Sequence, residues 1–337
     1  MIKCFFIQWH ITDRCDQRCK HCYIYNGKNI DAASEMTYED MRCVLFDFIE
    51  MCKKINKRPV IVLTGGDPLL HPDFWRIMEN IKNCNIETHI LGNPFHLNID
   101  VTKRLSEYGC TAFQMSLDGL MDTHDSIRKK GSFSETLMRV KDINDAGMTS
   151  CIMATVSKSN IKEIPKLVDI VVENNVASFS FSRYCPDKHG YDSIVSANEY
   201  RDFLERMWRK FEQYKDSKTK FGLKDHLWTL FLYEKGLYSI SEFKNYIYDG
   251  CHCGISHISV LPNGDVYACR RSYTPVGHVP DESLYDIFWG EKMEQYRHFD
   301  KFEKCKNCEL LRFCRGCPSV ANCLHGNFYS KDPQCWK

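Results

Sequence analysis

From residue 5 to about residue 183 the chain alternates short β-rich runs with longer amphipathic stretches. Residues 5–11, 60–63, 87–91, 112–117, 150–156 and 177–182 are rich in β-branched and aromatic side chains and read as strands. Between them, residues 37–55, 73–82, 100–108, 133–146 and 162–174 carry the apolar spacing of helices, closed by turns such as Asp145-Ala146-Gly147. Strands that alternate with helices pair in parallel through right-handed crossovers. Six such units predict an α/β fold, a partial (β/α)6 TIM-like barrel in place of a closed eight-stranded one. Folds of this kind gather their chemistry at the C-terminal rim of the strands.

At that rim, just past the first expected strand, stand Cys15, Cys19 and Cys22 in the spacing C-x3-C-x2-C, with Tyr23 directly after them. Cysteine thiolates hold four-iron clusters, and a loop that offers three leaves one iron open to a chelating small molecule. Strand 2 runs out into Thr64-Gly65-Gly66-Asp67-Pro68, where paired glycines let a ligand approach the backbone and a carboxylate or carbonyl accepts from an ammonium group. The third strand ends at Leu91-Gly92-Asn93-Pro94. The fourth leads into Met115-Ser116-Leu117-Asp118-Gly119, followed by His124 and Arg128.

The net charge is +1, which gives no field to attract nucleic acid or an anionic membrane surface. The N-terminus has a short apolar run without a small-residue cleavage site. No stretch approaches the roughly 18 apolar residues of a membrane span. A cytoplasmic enzyme with no nucleic-acid and no membrane partner is expected. In that compartment 19 cysteines point to metal binding over disulfides. Nine of them fall in residues 251–337. Cys4, Cys43, Cys52, Cys84, Cys110, Cys151 and Cys185 are scattered and read as buried or half-buried thiols acting as small hydrophobes. Three parts are expected: the barrel over 1–195, an aromatic-rich helical bridge over 196–250, and a cysteine-rich module over 251–337.

The module opens with Cys251-His252-Cys253 and continues through Pro262-Asn263-Gly264-Asp265, a hairpin turn that returns Cys269 beside Cys253. Cys305-x2-Cys308-x5-Cys314-x2-Cys317 follows, then Cys323 and Cys335. Paired C-x2-C spacings are also the mark of structural zinc, the alternative for this region and the basis of a non-catalytic zinc-ribbon reading of the chain.

Taken in order, the triplet, the Gly65-Gly66 segment and the Ser116-to-Arg128 block resemble the radical S-adenosylmethionine (SAM) enzymes, and the tail resembles their SPASM extension. The resemblance implies a 4Fe–4S cluster on Cys15, Cys19 and Cys22, with SAM on the open iron. It implies SAM contacts from Tyr23, Gly65, Gly66, Asp67 (where the family usually has Glu), Asn93, Ser116, Asp118 and Arg128. Asp118 reads equally as a loop-capping carboxylate. Two auxiliary 4Fe–4S clusters are implied, one on Cys253, Cys269 and Cys317 with Cys251 offered as a fourth ligand. The other falls to Cys305, Cys308, Cys314 and Cys335, which leaves Cys323 surplus. The usual x3 spacing before Cys317 is x2 here.

The segment from Gln8 to Arg14 and the tail after Cys269 look most like maturases of ribosomally made peptides. The implied reaction removes a hydrogen from a Cys-containing peptide and ends in oxidative thioether or carbon–carbon cross-linking. An electron donor such as flavodoxin or ferredoxin is implied. With strand 1 expected from about residue 5, a winged-helix leader-binding domain is not; a separate recognition protein, or the bridge and module themselves, would grip the peptide. The alternative is a formylglycine-forming sulfatase maturase. Those enzymes carry an aspartate after the cysteine aligned with Cys269, and this chain has Arg270 and Arg271 there, able to grip an acidic leader or to form a solvated turn. Tyr184 and Cys185 are offered as proton or thiol donors, against a packing role.

Overall fold

The computed structural model describes residues 3–25, 35–186, 191–240 and 247–337. Its first part runs β1 (Cys4–Thr12), α1 (Tyr38–Lys54), β2 (Arg58–Gly65), α2 (Phe74–Asn83), β3 (Glu87–Leu91), α3 (Ile99–Glu107), β4 (Cys110–Ser116), α4 (Met121–Ile127), α5 (Ser132–Asp145), β5 (Thr149–Val156), α6 (Ile164–Glu173) and β6 (Ser178–Arg183). The six strands pair in parallel in chain order, the barrel architecture that the alternation predicts. α4 was not foreseen. Its 7 residues lie inside the loop after β4 and are too few to show a helical period.

Alternation along β1 divides the layers. Phe5, Ile7, Trp9 and Ile11 are buried in the core, and the Phe5 ring lies 6.2 Å from that of Phe48 on α1. Gln8, between them, faces the cavity of the barrel. Thr37 starts α1 with a capping box, its side chain accepting from the Asp40 N–H while Asp40 accepts from the Thr37 N–H.

The bridge expected over 196–250 contains α7 (Ala197–Gln213), β7 (Lys220–Gly222) and α8 (Leu227–Glu234); residues 241–246 lie outside the described residues. It is not purely helical. β7 pairs in parallel with β6 and prolongs the sheet on that side. Three residues carry too little pattern to announce a strand; the exposed edge of β6 supplies the pairing.

The cysteine-rich region holds β8 (His257–Val260), β9 (Asp265–Tyr267), β10 (Pro275–His278), α9 (Leu284–Trp289), α10 (Glu291–Glu294) and α11 (Pro318–His325). The expected hairpin forms, with Ser259 opposite Tyr267 and Val260 opposite Val266. Its first strand also docks in parallel on the free edge of β1, Trp9 opposite Val260. One ten-stranded sheet results, in the order β10-β9-β8-β1-β2-β3-β4-β5-β6-β7. On the same side, Phe288 of α9 packs edge-on against Phe5 with ring centroids 4.9 Å apart. No helix among the described residues is long and apolar enough to cross a membrane.

Candidate active site

The cysteine loop leaves β1 at Thr12 and is pinned at once by the end of β2. The Gly66 N–H donates to Thr12 O at 2.8 Å, and the Asp67 N–H to Arg14 O at 2.7 Å. A Cβ on Gly65 would lie 2.1 Å from Thr12 O, and one on Gly66 2.2 Å from Arg14 O. Gly65 also has a positive φ of 151°. The room that the sequence reading assigns to a ligand is therefore taken by the backbone of the cysteine loop. Both glycines still line a cavity of about 320 Å³ at the strands' C-terminal rim.

Cys15, Cys19, Cys22 and Tyr23 line the same cavity. The Gln17 N–H donates to Cys15 Sγ at 3.4 Å, and the Cys19 thiol donates to Gln17 Oε1 at 3.5 Å. Burial pushes Cys15 up to about 11 and raises Cys19, so both are thiols until a cation draws the proton away.

Arg128 and Ser116 also face this space. Asp118 does not line it. Its fully buried carboxylate accepts from Arg128 Nε at 2.5 Å and from the Thr155 N–H at 2.7 Å. Burial alone would raise this carboxyl, but Arg128, then His21, hold it below its ordinary value. The fixed guanidinium reaches Cys19 Sγ from Nη1 at 3.8 Å and His21 Nε2 from Nη2 at 3.4 Å. His124 completes the frame. Its Nδ1 accepts from the Asp118 N–H at 3.0 Å, so Nε2 carries the proton toward Ser132 Oγ at 2.8 Å.

Asn93 lines the cavity, donating from Nδ2 to Asp16 Oδ1 at 2.8 Å and toward Cys15 Sγ at 3.8 Å. Asp67 is not among the lining residues. Its Oδ1 accepts from the Leu69 N–H at 3.1 Å as the cap of a short 3-10 turn. Oδ2 is buried without a hydrogen bond, and burial lifts the carboxyl to about 6. A one-residue capping geometry, invisible in the Gly-Gly-Asp-Pro string, turns the side chain to the backbone.

The module meets the barrel at the same rim. Cys253 lies against Cys251 and Cys269, and their sulfurs together with burial push its thiol well up. Bonding from Cys253 first, with help from Ser319 and Arg271, draws Cys269 down to about 6 against its burial. Ser319 Oγ donates to Cys269 Sγ at 3.1 Å, and Arg271 Nη1 to Cys317 Sγ at 3.7 Å. Arg271 is no solvated turn residue. It lines the cavity and donates from Nη2 to the Arg183 carbonyl. Arg270 lies over the Tyr23 ring, 5.0 Å from its centroid. Cys305, Cys308, Cys314 and Cys335 form a separate group in which the charge of one thiolate opposes that of another.

A family model for the radical SAM superfamily matches residues 9–171, and one for the SPASM iron–sulfur cluster-binding domain matches residues 251–309. The chain is a radical SAM enzyme with a SPASM domain. It is 27% identical over 345 residues to an AdoMet-dependent heme synthase of Methanosarcina barkeri, spanning 98% of this chain and 95% of that protein. It is 23% identical over 309 residues to the sporulation killing factor maturation protein SkfB of Bacillus subtilis, across 89% of this chain and 67% of SkfB. Among solved structures, Streptococcus suis SuiB bound to S-adenosylmethionine shares the fold with a TM-score of 0.76 and 22% identity, covering 99% of this chain and 77% of SuiB.

A radical SAM domain takes SAM and a 4Fe–4S cluster, and a SPASM domain takes auxiliary iron–sulfur clusters. The donor sets of this radical SAM enzyme fit. One loop offers three thiols to a shared cavity, and two further cysteine groups lie within the module's range. Several residues of the site escaped the sequence reading. Gln8, Gln114, Thr155 and Ser182 line the cavity as polar positions that alternate with buried apolar ones along their strands, a signal that strand periodicity carries. Asp332 also escaped it. Its Oδ2 accepts from the Cys317 N–H at 2.6 Å, a long-range contact with no local signature.

Proposed function

We propose that this radical SAM/SPASM enzyme modifies a peptide, removing a hydrogen from it and completing a net oxidation such as a thioether or carbon–carbon cross-link. The observation that carries this reading is a cavity lined from both domains, by Cys15, Cys19 and Cys22 of the barrel and by Arg271 of the module. A substrate held there meets the cysteine loop of the barrel and Arg271, whose Nη1 also donates to Cys317 Sγ of the module. Its volume, about 320 Å³, is at the small end of the ~300–1,000 Å³ usual for ligand pockets. Gln8, Gln114 and Ser182 offer a peptide donors and acceptors suited to backbone amides.

In this reading Cys15, Cys19 and Cys22 hold the 4Fe–4S cluster, and Tyr23, Gly65, Gly66, Asn93, Ser116 and Arg128 surround SAM. Bound there, cluster and SAM supply the 5′-deoxyadenosyl radical. Asp118 acts through Arg128, which it orients, and Asp67 acts through the turn it caps. Cys251, Cys253, Cys269 and Cys317 hold one auxiliary cluster, and Cys305, Cys308, Cys314 and Cys335 the other. A flavodoxin- or ferredoxin-like protein supplies the electron, and a leader-recognition protein or the module itself holds the peptide. SuiB, whose fold this chain shares, has been crystallised with its precursor peptide SuiA, which supports a peptide substrate.

The heme synthase relative supports a second reading, a porphyrin substrate. Anaerobic incubation of the reconstituted enzyme with SAM, reductant and a Cys-containing precursor peptide separates the two. Formation of 5′-deoxyadenosine with loss of two hydrogens per cross-link from the peptide is expected. An unmodified peptide, alongside consumption of an iron porphyrin under the same conditions, would replace the peptide reading with the second.

A further inference from the structure

Two cysteines that neither cluster assignment uses lie with their Sγ atoms 3.6 Å apart, although 138 positions separate them in sequence. Cys185 stands two residues beyond β6 and lines the reaction cavity. Cys323 sits on α11, in the module. Neither is fully buried. The Arg271 guanidinium exerts its field on both and lines the same cavity. The two thiols meet at a partly open wall of the cavity, which Cys185 and Arg271 both line.

We propose that Cys185 and Cys323 form a dithiol–disulfide redox pair in the cavity wall, exchanging with disulfides that enter it. The Cys185 thiolate attacks one sulfur of an incoming disulfide, forming a mixed disulfide and expelling the first thiolate. Cys323 then attacks the Cys185 sulfur, closing the internal disulfide and expelling the second. The two cysteine protons pass to the two leaving thiolates, so two cysteines are oxidised while one external disulfide is reduced to two thiols. An S–S bond is about 2.05 Å, so closure moves the sulfurs on the order of 1.5 Å together. Once closed, the bond ties the end of β6 to α11 and joins the barrel to the module beside the substrate space.

The test uses the reconstituted holoenzyme, its clusters loaded, in anaerobic buffers of stepped reduced-to-oxidised glutathione ratio. Samples are quenched in acid, blocked with N-ethylmaleimide and digested with trypsin. Expected is a peptide of residues 184–188 linked to one of residues 316–331, growing as the buffer becomes oxidising and vanishing with dithiothreitol. Fragmentation should place the bridge at Cys323 and not at Cys317, which shares that peptide. In Cys323→Ser the link is replaced by a glutathione adduct on Cys185, with iron content per chain unchanged. Full maleimide labelling of Cys185 and Cys323 at every ratio, or a bridge to Cys317, would overturn the proposal. So would loss of iron in Cys323→Ser, which would make Cys323 a cluster ligand.

Discussion

Arg183, at the end of β6, donates from Nη1 to Asp332 Oδ1 at 2.7 Å, and both side chains are 1% exposed. Arg183 Nε also donates to Asp225 at 2.8 Å, while Asp332 accepts from the Cys317 N–H. One buried ion pair thus ties the barrel's last core strand to a cysteine loop of the module. Asp225 keeps Arg183 paired when Asp332 is removed, so the cost is that of losing hydrogen bonds to a charged group, ~1.5–3 kcal/mol. Asp332→Ala is expected to lower the unfolding midpoint in denaturant and to reduce iron bound by the module, leaving the iron of the Cys15 loop in place. Unchanged stability and iron content would show that the pair does not hold the two parts together.

Asp118 orients Arg128 without lining the cavity. Hydrogen bonds to charged groups are worth ~1.5–3 kcal/mol, about one to two decades in affinity. Asp118→Asn in the reconstituted enzyme should weaken SAM binding by roughly ten- to hundredfold, read by equilibrium dialysis, with cluster absorbance retained. Affinity within a factor of two of wild type would remove Asp118 from the site.

Gly66 is demanded by the cysteine loop. Its added Cβ would fall 2.2 Å from Arg14 O, a backbone atom that cannot swing aside. Gly66→Ala should therefore displace the loop and lower iron bound at Cys15, Cys19 and Cys22, while the module keeps its share. Mössbauer or iron counts equal to wild type would place the constraint elsewhere.

Two buried groups near the site respond to acid in opposite senses. Burial lowers His124 to about 4 in the folded chain, so stability is lost as pH falls from about 6.5 toward 4, where only the unfolded chain takes up the proton. Burial raises Asp67 to about 6, so stability is gained on acidification from about 6 toward 3.8. The two offset each other. Asp67→Asn retains an acceptor for the Leu69 N–H and removes the compensating gain, so its thermal midpoint should fall more steeply than wild type between pH 7 and 5. Parallel pH curves for the two proteins would contradict this.

Of the fold, the six barrel strands were legible because each is buried between layers and shows its apolar pattern locally. β7, with 3 residues, and α4, with 7, were not, since neither is long enough to have a period. In the site, the cysteine triplet and the glycine pair were legible as strings, but the glycines' reason was not. They make room for Thr12–Arg14, a partner about 50 residues away, where the string suggests a ligand. Asp67 and Asp118 were legible as polar residues at strand ends; that they cap a turn and orient an arginine depends on contacts no spacing records.

The chain's own chemistry settles the order of strands, the presence of three thiols on one rim loop and the existence of a second cysteine-rich region, because each is carried by residues close in sequence. Tertiary structure alone decides that the hairpin of that region completes the edge of β1, that Arg271 shares a cavity with Cys15, and that Cys185 meets Cys323. Those relationships arise from sheet-edge pairing and buried charge acting across long stretches of chain, and no local pattern encodes them.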